Sequence, residues 1–208
     1  MKRKLCITVC LLTALAVGGQ TASFSSSRQL REGDLLFCVS PGANPITDVT
    51  HGVKGRQIDH VAIVHRSSRG VYALEAIHRG VSLTPIDSFL VRRGEVLQAR
   101  LRDTVGVSRS VERALHYVGR PYDFFFMPSD SAFYCSELVQ KCYLTPRGKL
   151  IFKPIPMSFH DRSGRVTPYW TEYYARHGMQ VPEGWPGSNP GQLSRSRKLR
   201  ILGVVGQQ

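Results

Sequence analysis

Three side chains in this sequence could serve one another as nucleophile, base and orienting group: Cys135, His60 and Glu75. Cys135 lies in the stretch Asp130-Ser131-Ala132-Phe133-Tyr134-Cys135-Ser136-Glu137-Leu138-Val139. Leu138, Val139, Cys142 and Tyr143 recur at helical spacing, so the stretch reads as a helix start capped by Asp130 or Ser131. Unpaired backbone N–H groups and the dipole at a helix start favour a thiolate, the form in which cysteine is a nucleophile. A small core residue near a helix start is the plainer alternative.

A thiolate needs a base within hydrogen-bond reach and a third group to hold that base. His60 opens an apolar strand over 59–65, and Glu75 lies in the next, over 71–77. The turn between them has its apparent centre between Ser67 and Ser68. About that centre His60 and Glu75 stand directly opposite on one sheet face, with Cβ atoms roughly 5 Å apart. The inference depends on register, because a one-residue slip sends them to different faces. Glu75 also stands among Val71, Ala73, Leu74, Ala76 and Ile77. A carboxylate there needs a partner, or a strand end that reaches water. A histidine satisfies it and gains a fixed tautomer. The other histidines, His51, His65, His78, His116, His160 and His177, have no comparable carboxylate opposite them and read as solvated or packing residues. No two histidines or cysteines have strong metal-ligand spacing, so neither a metal nor another cofactor is expected.

The elements that must position these residues follow from the pattern. Strands are predicted over 35–39, 59–65, 71–77, 80–84 and 95–101, the last four as a meander of consecutive antiparallel strands with short turns. Residues 40–57 read as a long loop. Val107, Val111, Ala114, Leu115 and Val118 predict a helix that Gly119 and Pro121 end. Residues 122–126 read as an extended aromatic segment, and the cysteine helix follows. A strand over 150–154, a short helix over 167–175, an irregular stretch over 182–194 and a last strand over 198–205 complete the chain. The order predicts an α+β fold, an antiparallel sheet of about five or six strands with helices packed on it.

The chain opens Met1-Lys2-Arg3-Lys4, then runs apolar from Leu5 to Val17 and ends in small residues. This predicts a signal peptide over 1–22 and a single domain over 23–208, periplasmic or extracellular after cleavage. The apolar run is short for a membrane span. Losing Lys2, Arg3 and Lys4 lowers the formal charge from +13 to +10. Such a surface favours anionic partners, a cell-wall polymer or a membrane surface. Export, and the lack of zinc-finger spacing or of aromatics alternating with basic residues, argue against nucleic acid. The mature chain keeps Cys38, Cys135 and Cys142, an odd number, so at least one stays out of any intramolecular disulfide.

Gly33-Asp34-Leu35-Leu36-Phe37, Asp59-His60-Val61-Ala62-Ile63-Val64, Leu74-Glu75-Ala76 and Tyr134-Cys135-Ser136-Glu137-Leu138-Val139, in that order, resemble the permuted papain-like amidases of the YiiX/YaeF type. These form the circularly permuted branch of the NlpC-type cysteine peptidase superfamily. Phe152-Lys153-Pro154, Pro168-Tyr169-Trp170 and the stretch from Pro182 to Pro190 extend the resemblance, which covers roughly residues 31–205. It implies a permuted papain-like fold with Cys135 as nucleophile, His60 as base and Glu75 as orienting group. It also implies hydrolysis of an amide or ester bond in a small peptide-like or acyl substrate. Tyr122 and Tyr134 are candidates for a second oxyanion donor, since a phenol can donate. Asp123 could bind a basic substrate group or cap a turn. A lipid acyl hydrolase or acyltransferase on the same triad, and a non-catalytic basic envelope-binding protein, are the competing readings. Trp170, Trp185, Tyr169 and Tyr173 either line a ligand groove or pack the C-terminal segment.

Overall fold

A computed structural model describes residues 29–205, together with the backbone of residues 24–25. The predicted signal peptide lies outside the described residues. The strands are β1 (Phe24–Ser25), β2 (Leu35–Val39), β3 (Ile58–Ser67), β4 (Gly70–Ile77), β5 (Gly80–Pro85), β6 (Val96–Leu101), β7 (Ile155–Pro156), β8 (Pro186–Gly187) and β9 (Leu199–Val205). The helices are α1 (Pro45–Val49), α2 (Ile86–Arg93), α3 (Val107–His116), α4 (Cys135–Cys142), α5 (Pro168–Arg176) and α6 (Pro190–Ser194). The main sheet has the order β1-β9-β6-β2-β3-β4-β5. Six strands run antiparallel, and the two-residue β1 adds in parallel to β9.

Period-2 alternation divides the sheet's side chains between two cores. Leu35, Phe37, Val61, Ile63, Leu97 and Ala99 pack with Val111 and Ala114 of α3 and Leu138, Val139 and Cys142 of α4. Leu36, Cys38, Ala62, Val64, Ala73 and Val96 pack with Ile86, Phe89 and Leu90 of α2. Burying Leu138 and Val139 holds α4, and with it Cys135, against the sheet. Each such burial contributes about 1.5–3 kcal/mol. A third, aromatic core of Phe159, Trp170 and Tyr174 gathers around α5.

Several expectations are corrected. The stretch 40–57 is not all loop. Asn44 accepts from the N–H groups of Ile46 and Thr47, while Thr47 Oγ1 accepts from Asn44 N, and this capping box with Pro45 at the first turn forms α1. Helix α2 was not predicted. The strand expected over 150–154 is an isolated bridge from Leu150 to Leu144, and the strand forms instead at Ile155–Pro156 against β8. Residues 182–194 hold β8 and the Asn189-capped α6. The segment 122–126 is not extended throughout. Asp123 accepts from Phe125 N and Met127 N, and the chain turns, with Phe126 at φ 54°. Nor do Asp130 and Ser131 cap α4. Its N-cap is Tyr134, with no side-chain cap, while Asp130 pairs with Lys141 at 2.8 Å.

Cys38, Cys135 and Cys142 are all free. Cys38 and Cys142 are buried in the two different cores, on opposite faces of the sheet, so they cannot pair. Burial pushes the Cys142 thiol up to about 12 and that of Cys38 higher still. The chain from residue 23 onward, treated in its native state with an alkylating reagent, is therefore expected to take one label, on Cys135. Peptide mass mapping should find Cys38 and Cys142 labelled only in denaturant, and native labelling of either would contradict this packing.

Candidate active site

His60 lies at the start of β3 beside a bulge. Cys38 pairs with His60 but Val39 pairs with Ile58, which leaves Asp59 as the extra residue. Bulges re-aim neighbouring side chains. The His60 ring is buried beside Phe89, and its Nε2 lies 2.7 Å from Glu75 Oε2. The predicted register is off by two. Ser67 pairs with Gly70 and Ile63 with Leu74, so the hairpin is centred between Ser68 and Arg69. The tight two-residue turn draws Gly70 into the strand. A shift of two keeps each side chain on its face, so His60 and Glu75 meet as diagonal neighbours instead of a direct pair.

Glu75 is fully buried and shares its two oxygens among four partners. Oε2 faces His60 Nε2 and, at 3.6 Å, Arg93 Nη2. Oε1 accepts from Thr84 Oγ1 at 2.7 Å and from Arg92 Nη2. Burial opposes its ionisation, but the hydrogen bond and charge of His60, with Thr84 and Arg92, hold its pKa down at about 2. An ionised carboxylate only accepts, so Nε2 carries the proton of the His60–Glu75 bond and Nδ1 is left for Cys135. Burial lowers the His60 pKa. The charge of Cys135, a side-chain hydrogen bond with it and the bond to Glu75 outweigh burial and the Arg93 charge, and the net shift is upward.

Cys135 is the first residue of α4 and is buried. Its N–H is one of those the helical ladder leaves unpaired. The helix end is pinned to the loop at 187–189. Tyr134 Oη accepts from Ser188 N at 3.0 Å, Ser188 Oγ donates to Ser136 Oγ at 3.0 Å, and Gln140 Nε2 donates to Gly187 O at 3.2 Å. A Cβ on Gly187 would lie 2.9 Å from Tyr134 Oη and closer still to Met157, so a side chain there would push Met157 or Tyr134 aside.

Two cavities flank the pair. A cleft of about 580 Å³ reaches the buried His60 and is lined also by Asp59, His78, Arg92 and Arg93 and by Phe124, Tyr169 and Tyr173. A pocket of about 40 Å³ lies against Cys135, walled by Ile46, Val49, Met157 and Phe159. Tyr122, Phe126 and Trp170 line both. Burial, then the charge of Cys135, raises the Tyr122 pKa, so its phenol keeps the proton it would donate. Asp123 spends both carboxylate oxygens on backbone N–H groups of its own turn and takes the capping role of its two predicted alternatives.

Residues 29–202 match the family described as permuted papain-like amidase enzyme, YaeF/YiiX, C92 family. The chain belongs to this family. It is 27% identical to the uncharacterized protein YiiX of Escherichia coli strain K12 over 161 residues, which cover 74% of this chain and 76% of YiiX. A crystal structure described as that of metalloprotein yiiX from Escherichia coli O157:H7 shares the fold. Its TM-score is 0.68 at 23% identity, over 86% of this chain and 98% of that one. The permuted papain-like α+β architecture expected from the sequence is therefore the fold of this protein. Among the described residues of this family member, no group of three or more His, Cys, Asp or Glu side chains is placed to hold a metal ion.

Sequence reasoning missed Thr84, Arg92 and Arg93 as partners of Glu75. Ile86, Phe89 and Leu90 carry a helical spacing that could have revealed α2, whose last turn holds both arginines. It also missed Glu137, buried on the nucleophile's helix, where burial lifts the pKa to about 7 against the pull of Lys141. Two other histidines do have carboxylate partners: His65 with Glu32 at 3.0 Å and His160 with Glu183 at 3.2 Å. Trp170 and Tyr174 are buried in the aromatic core, with Trp170 also in the wall of both cavities, Tyr169 and Tyr173 line the cleft, and Trp185 is half exposed and lines neither cavity.

Proposed function

We propose that this chain is an exported cysteine hydrolase that cleaves an amide bond through Cys135, His60 and Glu75. The observation that carries the reading is His60 held by Glu75 through Nε2, with its other nitrogen left to act on Cys135. His60 takes the thiol proton, Cys135 Sγ attacks the carbonyl carbon, and the amide nitrogen leaves with the proton from His60. Water, deprotonated by His60, then releases the acid and restores the thiol. The N–H of Cys135 faces the developing oxyanion, and the phenol of Tyr122 is the second donor. Each such donor contributes about 3 kcal/mol in the transition state.

The cleft has the volume of a small-molecule site and would take the larger part of the substrate. The pocket at Cys135 has room for a few waters or a short side chain. That size favours a peptide-like amide over a long acyl chain. Its apolar walls keep an ester of a short acyl group as the second reading. The test is intact-mass spectrometry of protein mixed with matched panels of peptide amides and acyl esters. The expected result is turnover of amides and an acyl adduct on Cys135. Turnover of esters alone moves the assignment to the second reading. No adduct and no turnover on either panel leaves a non-catalytic binding protein.

A further inference from the structure

A second, unassigned site lies at the opposite end of the sheet from the catalytic pair. Cys38 pairs with both His60 and Val96, so the active site stands at the Val96 end of β6. Leu101 closes the other end. There the ends of β6 and β9 and the loop after α4 surround a depression of about 450 Å³. Arg102, Lys153, Arg197 and Lys198 line it, and all four are exposed. Among the described residues, none of these four forms an ion pair, whereas Arg56, Arg100, Lys141 and Arg176 each do. The one carboxylate in the lining, Asp103, accepts from Val105 N. The fold sets this charge in place: Arg102 N donates to Lys198 O at 2.9 Å and joins the two strand ends.

The lining is apolar as well as cationic. Leu101 and Ile151 lie within it, and Val105 and Leu150, 65% and 37% exposed, stand at its edge. A free anion would use the four cations and leave these aliphatic groups in water. Among the described residues no aromatic ring lines the depression, so they give a nucleic-acid base no stacking surface there. A surface of anionic phospholipid uses both chemistries at once. Headgroup phosphates neutralise the cations, and the aliphatic groups enter the headgroup–acyl boundary.

We propose that this depression seats the protein on an anionic phospholipid membrane. The proposal does not depend on the catalytic reading, since the two sites occupy opposite ends of the sheet. Its test is flotation of the full chain with vesicles of about one part phosphatidylglycerol to two parts phosphatidylcholine, and with phosphatidylcholine alone. Hydrogen exchange in the presence of the same vesicles then locates the contact and separates it from any binding by the N-terminal apolar run. The expected result is protection of 101–105, 145–153 and 197–199 by the anionic vesicles only. The double variant Arg197→Glu, Lys198→Glu is expected to lose that protection and to bind the anionic vesicles at least about 20-fold more weakly. Val105→Asp with Leu150→Asp should weaken binding too, and the charge-matched pair Lys54→Glu, Arg69→Glu should not. Equal losses in the charge-matched pair, or no protection in these three segments, would overturn the proposal. Protection by millimolar inorganic phosphate alone, with Val105 and Leu150 irrelevant, would make the site one for free phosphate.

Discussion

Changing His60 to alanine is expected to slow both hydrolysis and the alkylation of Cys135 near neutral pH by about 100- to 10,000-fold. An isolated thiol is almost wholly protonated at about pH 6 and alkylates slowly. In the proposed mechanism His60 takes that proton. The imidazole of His60 is raised above its ordinary value because Cys135 and Glu75 together outweigh its burial. Iodoacetamide alkylation measured across pH should therefore stay fast in the wild type down to mildly acidic pH. In His60→Ala it should rise only as an ordinary thiol ionises. A small molecule such as imidazole, entering through the cleft that reaches His60, should restore part of the lost rate. Circular dichroism separates this from unfolding, since His60 is buried and a cavity is left behind. Alkylation indifferent to His60 would remove the catalytic pair and favour the binding-protein reading.

The residues proposed to do the chemistry were legible because each broke a local pattern. Glu75 is a carboxylate in an apolar strand, and Cys135 sits where a helical spacing begins. His60 shares a face with Glu75 after any even shift of register, so an error of two positions broke the direct pair but left the two side chains within reach. The fold class was legible for a related reason. The strand alternation of β2 to β6 and the spacing of α3 and α4 are local signals that tertiary contacts reinforce. The partners of Glu75 were hidden because α2 is two turns long, follows Pro85 and has no side-chain cap. Its arginines act on Glu75 through a fold-over that no short-range pattern records. Phe126 illustrates the same limit. A run of three phenylalanines reads as a strand, yet two hydrogen bonds from backbone to Asp123 turn the chain and put Phe126 at positive φ. That turn sets the Phe126 ring 5.2 Å from Tyr134 and 5.6 Å from Trp170, in the wall shared by both cavities.

Replacing Glu75 by glutamine should cost stability and activity through different groups, and pH tells them apart. The Glu75 carboxyl goes from 4.5 to about 2 on folding, which corresponds to about 3 kcal/mol. Because the folded value is the lower one, this stabilisation is present above pH 4.5 and is lost as the pH falls toward 2. Wild-type unfolding free energies from urea titrations should therefore drop across that acid window. Those of Glu75→Gln should be lower at neutral pH and fall less steeply across the window, with Arg92 and Arg93 left facing an uncharged amide. His60 has the opposite sign. Its folded value is raised, so its contribution is complete below the ordinary 6.5 and fades as the pH rises through the folded value. In Glu75→Gln the hydrogen bond that helps raise His60 loses its charge, so the basic limb of the rate profile should move to lower pH. Hydrolysis should fall by about 100-fold. Glu75→Asp keeps the charge and should restore the acid-window loss, with only part of the rate, since the shorter side chain draws away from His60. A variant that loses stability but keeps the wild-type rate profile would make Glu75 a buried counter-charge for the two arginines, with no part in positioning His60.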